Sequence, residues 1–148
     1  THAYAAALNI PTDIADRELE TLHNKLDLST RKRLNFKGIS QGNTAYVILN
    51  YEQHQQVFSA LGEMKKSAEK VAHDLSKEVK AYLESEAVAD EYLADQLLLP
   101  LALGKGGEFT AKVISEHTKT QAEMIQKFID CDIQFIKIGN SFKVNVSV

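Results

Sequence analysis

Glu91-Tyr92-Leu93-Ala94-Asp95-Gln96-Leu97-Leu98-Leu99-Pro100-Leu101-Ala102-Leu103 decides how the second half of this chain folds. The stretch is apolar nearly throughout, yet Asp95 and Gln96 stand side by side within it. Burying an unpaired carboxylate costs roughly several kcal/mol, so such a group has a partner, faces water or has a job. Two readings stay open on the residues alone. Asp95 and Gln96 form a solvent-facing pair beside a buried stripe, or they line a site. Either way the stretch reads as a helix over about Asp90 to Leu103, with Gly104-Lys105-Gly106-Gly107 as its stop. The glycine cluster lacks the spacing of a phosphate-binding loop and follows a helix rather than opening one. The leucine run is too short to span a bilayer, which takes roughly 20 residues, and Pro100 interrupts it.

Downstream, Glu108 to Ile114 reads as a strand and His117 as a loop residue before the next helix. Thr118 or Thr120 is the expected cap of that helix, which runs through Phe128, because Thr118-x-x-Gln121 and Thr120-x-x-Glu123 both fit a capping box. Ile133 to Ile138 and Phe142 to Val148 form a terminal hairpin around Gly139-Asn140. Upstream, Tyr4 to Asn9 is a short strand, and Ile14, Leu19, Leu22 and Leu26 mark a helix begun near Thr12 or Asp13. Arg31-Lys32-Arg33-Leu34-Asn35-Phe36-Lys37 reads as a solvated basic run ending at Gly38. Thr44 to Tyr51 alternates as a strand, and Val57 to Gly62 is its hairpin partner. Ser67 caps a long helix whose apolar face is Val71, Leu75, Val79 and Tyr82. The fold class is α+β, a β-α-β-β-α unit followed by an α-β-α-β-β unit.

With 148 residues, 44% hydrophobic and 25% charged, the chain has the composition of one ordinary globular domain or two small ones. A formal charge of −3 argues against wholesale coating of nucleic acid but leaves room for a local basic patch. The one cysteine, Cys131, excludes an internal disulfide, suits a reducing compartment and so a cytoplasmic location, and reads as a small buried hydrophobe. The N-terminus lacks a basic segment followed by an apolar core, and the chain starts at Thr1 without an initiator Met. His2, His23, His54 and His73 show no metal-ligand spacing with one another or with Cys131. His117 differs in its expected place, between a strand end and a helix start. Helix N-termini present free N–H groups and partial positive charge to phosphates. A neutral imidazole beside a bound phosphate is a competent nucleophile toward phosphorus. On spacing alone, an ordinary loop histidine is the better reading.

Taken together, Tyr92-Leu93-Ala94-Asp95-Gln96, the leucine run ending at Pro100, Gly106-Gly107-Glu108-Phe109-Thr110 and His117 form a recognisable set. It resembles the C-terminal part of the RNA 3′-terminal phosphate cyclases. Gly42-Asn43-Thr44, Gly62-Glu63, Ser67-Ala68-Glu69, Lys77-Glu78-Val79-Lys80 and Tyr82-Leu83 extend the likeness along nearly all of the chain. The resemblance implies a ligase-type enzyme that uses ATP to convert an RNA 3′-phosphate into a 2′,3′-cyclic phosphate through an adenylyl-histidine. His117 falls at the family's nucleophile position. Tyr92, Leu93, Ala94, Asp95 and Gln96 fall on its nucleotide-binding segment, with the leucines as floor. The partners implied are ATP, Mg²⁺ or Mn²⁺ with no ligand assigned here, and an RNA bearing a 3′-phosphate.

By the same resemblance, residues 1–85 are the family's insert domain and residues 86–148 the last segment of its large catalytic domain. That segment is then a repeat lacking its first strand. The family's chains are more than twice as long, so this chain alone is expected to lack most phosphate and RNA contacts and to be inactive by itself. It is also expected to hide apolar surface by self-association or against an N-terminal half. The alternative is a non-catalytic cyclase-like protein of RNA processing or ribosome assembly, which would lack the nucleophile. A third reading is an isolated structural domain without activity.

Overall fold

Ala45, Val47 and Leu49 alternate with Tyr46 and Ile48, and the strand this pattern predicts is β3 (Gly42–Asn50) of the computed structural model. The structure describes residues 1–52, 54–85 and 87–148. The chain is α+β, and its contacts divide it into two units, Thr1–Ala81 and Tyr82–Val148. Glu86, where the second domain was expected to begin, lies outside the described residues.

In the first unit β3 sits inside a four-stranded sheet of order β2-β1-β3-β4, with β1 (His2–Leu8), β2 (Thr30–Phe36) and β4 (Gln55–Leu61). Between β1 and β2 runs α1 (Asp13–His23), a crossover that makes these two strands parallel, while β3 and β4 are antiparallel to their neighbours. Ala3, Ala5, Ala7, Ala45, Val47 and Phe58 are buried on one sheet face, and α1 buries Ala15, Leu19 and Leu22. The small alanines let α1 lie close over β1, the strand it contacts most. The long helix α2 (Ala68–Leu83) buries Val71, Leu75 and Val79, starts at Ser67 as expected, and is tied to α1 by Arg17–Glu69 at 3.0 Å. Tyr4 and Tyr46 stack on the opposite sheet face, with ring centroids 5.0 Å apart.

One correction falls in this unit. The basic run Arg31-Lys32-Arg33 is not a solvated loop but the edge strand β2, so the order is β-α-β-β-β-α. Its alternation is carried by charge rather than by apolar residues. Arg31 and Arg33 pair with Ala3 and Ala5 in register and lean toward α1, donating to Glu20 at 2.8 Å and Asp16 at 2.6 Å. A strand whose inward positions are arginine stems shows no hydrophobic period.

The second unit is a three-stranded antiparallel sheet of order β5-β7-β6, with β5 (Gly107–Ala111), β6 (Asp132–Ile138) and β7 (Ser141–Ser147). Phe109, Ala111, Ile133, Phe135, Val144 and Val146 meet α3 (Glu91–Leu103) and α4 (Glu116–Phe128) in one core around Leu98. Pro100 lies inside α3, and the carbonyl it frees belongs to Gln96 one turn earlier. Both residues are exposed, on the outer side of the helix. Gly106 adopts a φ of +70°, and a Cβ there would strike the Val146 carbonyl, which explains the glycine that ends the α3–β5 turn. The Gly139-Asn140 turn joins β6 to β7 as expected, with Gly139 at a φ of +55°. Cys131 is half-buried against this core rather than enclosed by it. The segment before α3 contributes one parallel bridge, Ala89 to Ala111, with Ala89 N–H donating to Thr110 O at 2.9 Å and Lys112 N–H to Ala89 O at 3.0 Å. Ala89 therefore extends the pairing at β5 by a single residue.

Candidate functional site

The second unit brings α3 and α4 side by side, and their seam holds Asp95 and His117. On α3 the spacing of Ala94, Leu98 and Ala102 turns those residues into the core. Tyr92, Gln96, Leu99 and Leu103 fall on the opposite side and are exposed. Asp95 lies on the flank between the two sides and is turned toward α4, its side chain 23% exposed. Asp90 starts the helix by accepting from Leu93 N–H at 2.7 Å.

The start of α4 corrects the expected cap. Ser115, not Thr118 or Thr120, is the N-cap, and its Oγ accepts from Thr118 N–H at 3.1 Å. Thr118 is fully buried and shares a hydrogen bond of 2.9 Å with the Ser115 hydroxyl. Thr120 Oγ donates back to Glu116 O at 2.9 Å. His117 is thus the second residue of the helix rather than a loop residue. The helix start carries the partial positive charge of its free N–H groups. The His117 side chain is 80% exposed.

His117 Nδ1 lies 3.8 Å from Asp95 Oδ1, ion-pair rather than hydrogen-bond range. Asp95 Oδ1 is itself buried and has no hydrogen-bond partner among the described residues. A buried carboxylate oxygen without a donor is costly, and His117 holds the ring nitrogen nearest to it. One turn along α4, Gln121 Nε2 donates to the Asp95 backbone carbonyl at 3.1 Å and locks the two helices in register. A proton on Nδ1, facing Asp95, leaves the Nε2 lone pair as the free nitrogen of a neutral imidazole. In that tautomer Nε2 is the nitrogen available for attack on an electrophile.

Of the residues singled out from sequence, the fold joins Asp95 and His117 and leaves Tyr92 and Gln96 on the outer side of α3. Ala94 is wholly within the core and offers a ligand no surface, and Leu93 packs against that core from the edge. Ser115 and Gln121 were not singled out for the site. A serine three residues before Thr118 is an N-cap signal, and Gln121 sits four residues beyond His117, but nothing in the chain links Gln121 to Asp95. Among the described residues no group of three or more His, Cys, Asp or Glu side chains is placed to hold a metal ion. Nor is any helix among them long and apolar enough to cross a membrane.

Comparison with known proteins bears on this geometry. Residues 7–135 match the family model described as RNA 3′-terminal phosphate cyclase. The chain is 39% identical over 149 aligned positions to a protein of Koribacter versatilis (strain Ellin345) named RNA 3′-terminal phosphate cyclase. The alignment takes in 99% of this chain and 42% of that relative, so the chain spans about two fifths of its length.

Proposed function

The chain belongs to the RNA 3′-terminal phosphate cyclase family, and from that premise we propose that it carries the nucleophile of an ATP-dependent RNA 3′-phosphate cyclase. The observation that supports the reading is the Asp95–His117 pair at the start of α4.

In this proposal His117 Nε2 attacks the α-phosphorus of ATP. An N–P bond forms, the bond to the bridging oxygen breaks, and pyrophosphate leaves. The ring becomes cationic as it is adenylylated, and the Asp95 carboxylate offsets that charge. A non-bridging oxygen of the RNA 3′-phosphate then attacks the adenylyl phosphorus and the N–P bond breaks, returning neutral imidazole. The vicinal 2′-hydroxyl attacks the activated 3′-phosphorus, loses its proton to solvent or a base, and expels AMP. Nucleotide charge at the α4 N-terminus is stabilised by that helix end. A divalent ion would shield the triphosphate charge during the first step. Its ligands are not assigned to this chain, because the described residues offer no cluster for it.

The test is self-adenylylation. The chain is incubated with ATP labelled at the α-phosphate and Mg²⁺, alone and mixed with the N-terminal portion of the Koribacter relative, then denatured. The expected result is acid-labile, alkali-stable label in the mixture with the N-terminal portion, and its loss in His117→Asn. Label that survives His117→Asn would remove this histidine as nucleophile. The absence of label in both incubations would favour the non-catalytic reading.

A further inference from the structure

The sheet of the first unit ends in two edges of opposite character. β2 carries Arg31, Lys32 and Arg33, and two of these are engaged by acids of α1. Charge of this kind is a standard defence against strand-to-strand association. β4, Gln55-Gln56-Val57-Phe58-Ser59-Ala60-Leu61, has no charged residue, no proline and no glycine. Its outer edge pairs with no strand among the described residues. Val57 is 51% exposed and Leu61 71% exposed.

The hydrogen-bond phase of β4 fixes which groups point outward. Tyr51 N–H donates to His54 O at 2.9 Å, and Gly62 N–H to Asn43 O at 2.9 Å. These bonds bracket the ladder, so the even-numbered residues of β4 bond to β3. Gln55, Val57, Ser59 and Leu61 therefore aim their N–H and C=O groups away from the sheet. A second β4 run antiparallel about a two-fold axis at Ser59 places Val57 opposite Leu61 of the other copy, twice, in hydrogen-bonded positions. The same register sets Phe58 opposite Ala60, large against small. The pairing is isologous, each contact occurring twice across the axis, as in a two-fold interface.

We infer that β4 is a homodimerisation edge, and that two copies of this chain join their four-stranded sheets through antiparallel β4–β4 pairing centred on Ser59. This surface is independent of the Asp95–His117 site.

The experiment is sedimentation velocity of the full 148-residue chain over about 10 to 500 µM, the range for a small interface, with far-ultraviolet dichroism confirming that each variant is folded. The wild type is expected to shift from monomer to dimer with concentration. The variant V57K/L61K puts lysine opposite lysine and is expected to weaken association about tenfold or more. The variant V57K/L61E puts lysine opposite glutamate in this register alone and is expected to restore association to within about threefold of the wild type. A wild type that stays monomeric throughout would overturn the inference. So would association unchanged in V57K/L61K, which would place it on another surface, such as exposed Leu103 and Phe128. A V57K/L61E variant as weak as V57K/L61K would overturn the register.

Discussion

Glu18 is enclosed in the first unit, whereas Asp95 lies on the flank of a helix in the second, and the two carboxyls meet different fates. Glu18 is wholly buried and accepts from Asn43 Nδ2, while its second oxygen has no partner among the described residues. Burial pushes its carboxyl from 4.5 up to about 7, with the Asn43 hydrogen bond and the charge of Arg17 opposing only in part. Gly62 allows this arrangement, because a Cβ there would collide with the Asn43 side chain. Asp95 also has a buried oxygen without a hydrogen bond, but an exposed imidazole stands 3.8 Å away. An acid shut inside a core is held by changing its own protonation. An acid at a seam can instead act on a neighbour that reaches solvent.

The contrast can be broken most severely through the packing that aims Asp95. Leu98 is fully buried one turn along α3 from Asp95. Leu98→Ala is expected to destabilise the chain by about 3 kcal/mol or more in urea unfolding. A cost below about 1 kcal/mol would show that the site does not depend on this core.

The next effect sharpens the other side. Between pH 4.5 and about pH 7 the unfolded chain releases the Glu18 proton while the folded chain keeps it, so folded stability falls as pH rises through that window. The loss amounts to roughly 3 kcal/mol, complete above the folded value. Glu18→Gln resembles the protonated form and should match the wild type near pH 4. It should exceed wild-type stability at pH 8 by about that amount. Equal stability of the two proteins at pH 8 would mean that Arg17 and Asn43 fully compensate the ionised carboxylate.

Asp95→Asn is a smaller perturbation aimed at chemistry. It is expected to slow His117 adenylylation about tenfold, near 1.4 kcal/mol of transition-state stabilisation. It should leave the unfolding midpoint nearly unchanged. A drop in stability with an unchanged rate would reduce Asp95 to a structural acid like Glu18.

The mildest change is Ser115→Ala. It removes the cap of α4 and the partner of the buried Thr118 hydroxyl, at about 1 kcal/mol. Equal stability with and without the hydroxyl would show that Thr118 finds another partner.

Much of this architecture was legible because local chemistry agreed with it. Glu91–Leu103 is a helix with a glycine-marked end, and Gly139-Asn140 joins the terminal hairpin. Ser67 caps α2 through Lys70 N–H at 3.2 Å. The failures share a cause. β2 was hidden because its inward positions are arginines whose partners, Glu20 and Asp16, lie on a helix elsewhere in the chain. The α4 cap was misplaced because Thr118 and Thr120 each fit a capping motif as well as Ser115 does, and only burial of Thr118 excludes it.

For the site, the sequence by itself supplied the residue types, the family resemblance, the helix that carries Asp95 and a helix beginning close after His117. Those signals are local, set by side-chain period and backbone capping over a few residues. The tertiary structure alone decided that Asp95 faces α4 while Gln96, its neighbour in the chain, faces water. Adjacent residues on a helix point about 100° apart, and which one meets a partner depends on where a second helix is packed. That placement comes from the shared core around Leu98 and from Gln121 reaching the Asp95 carbonyl, contacts between residues far apart in the chain.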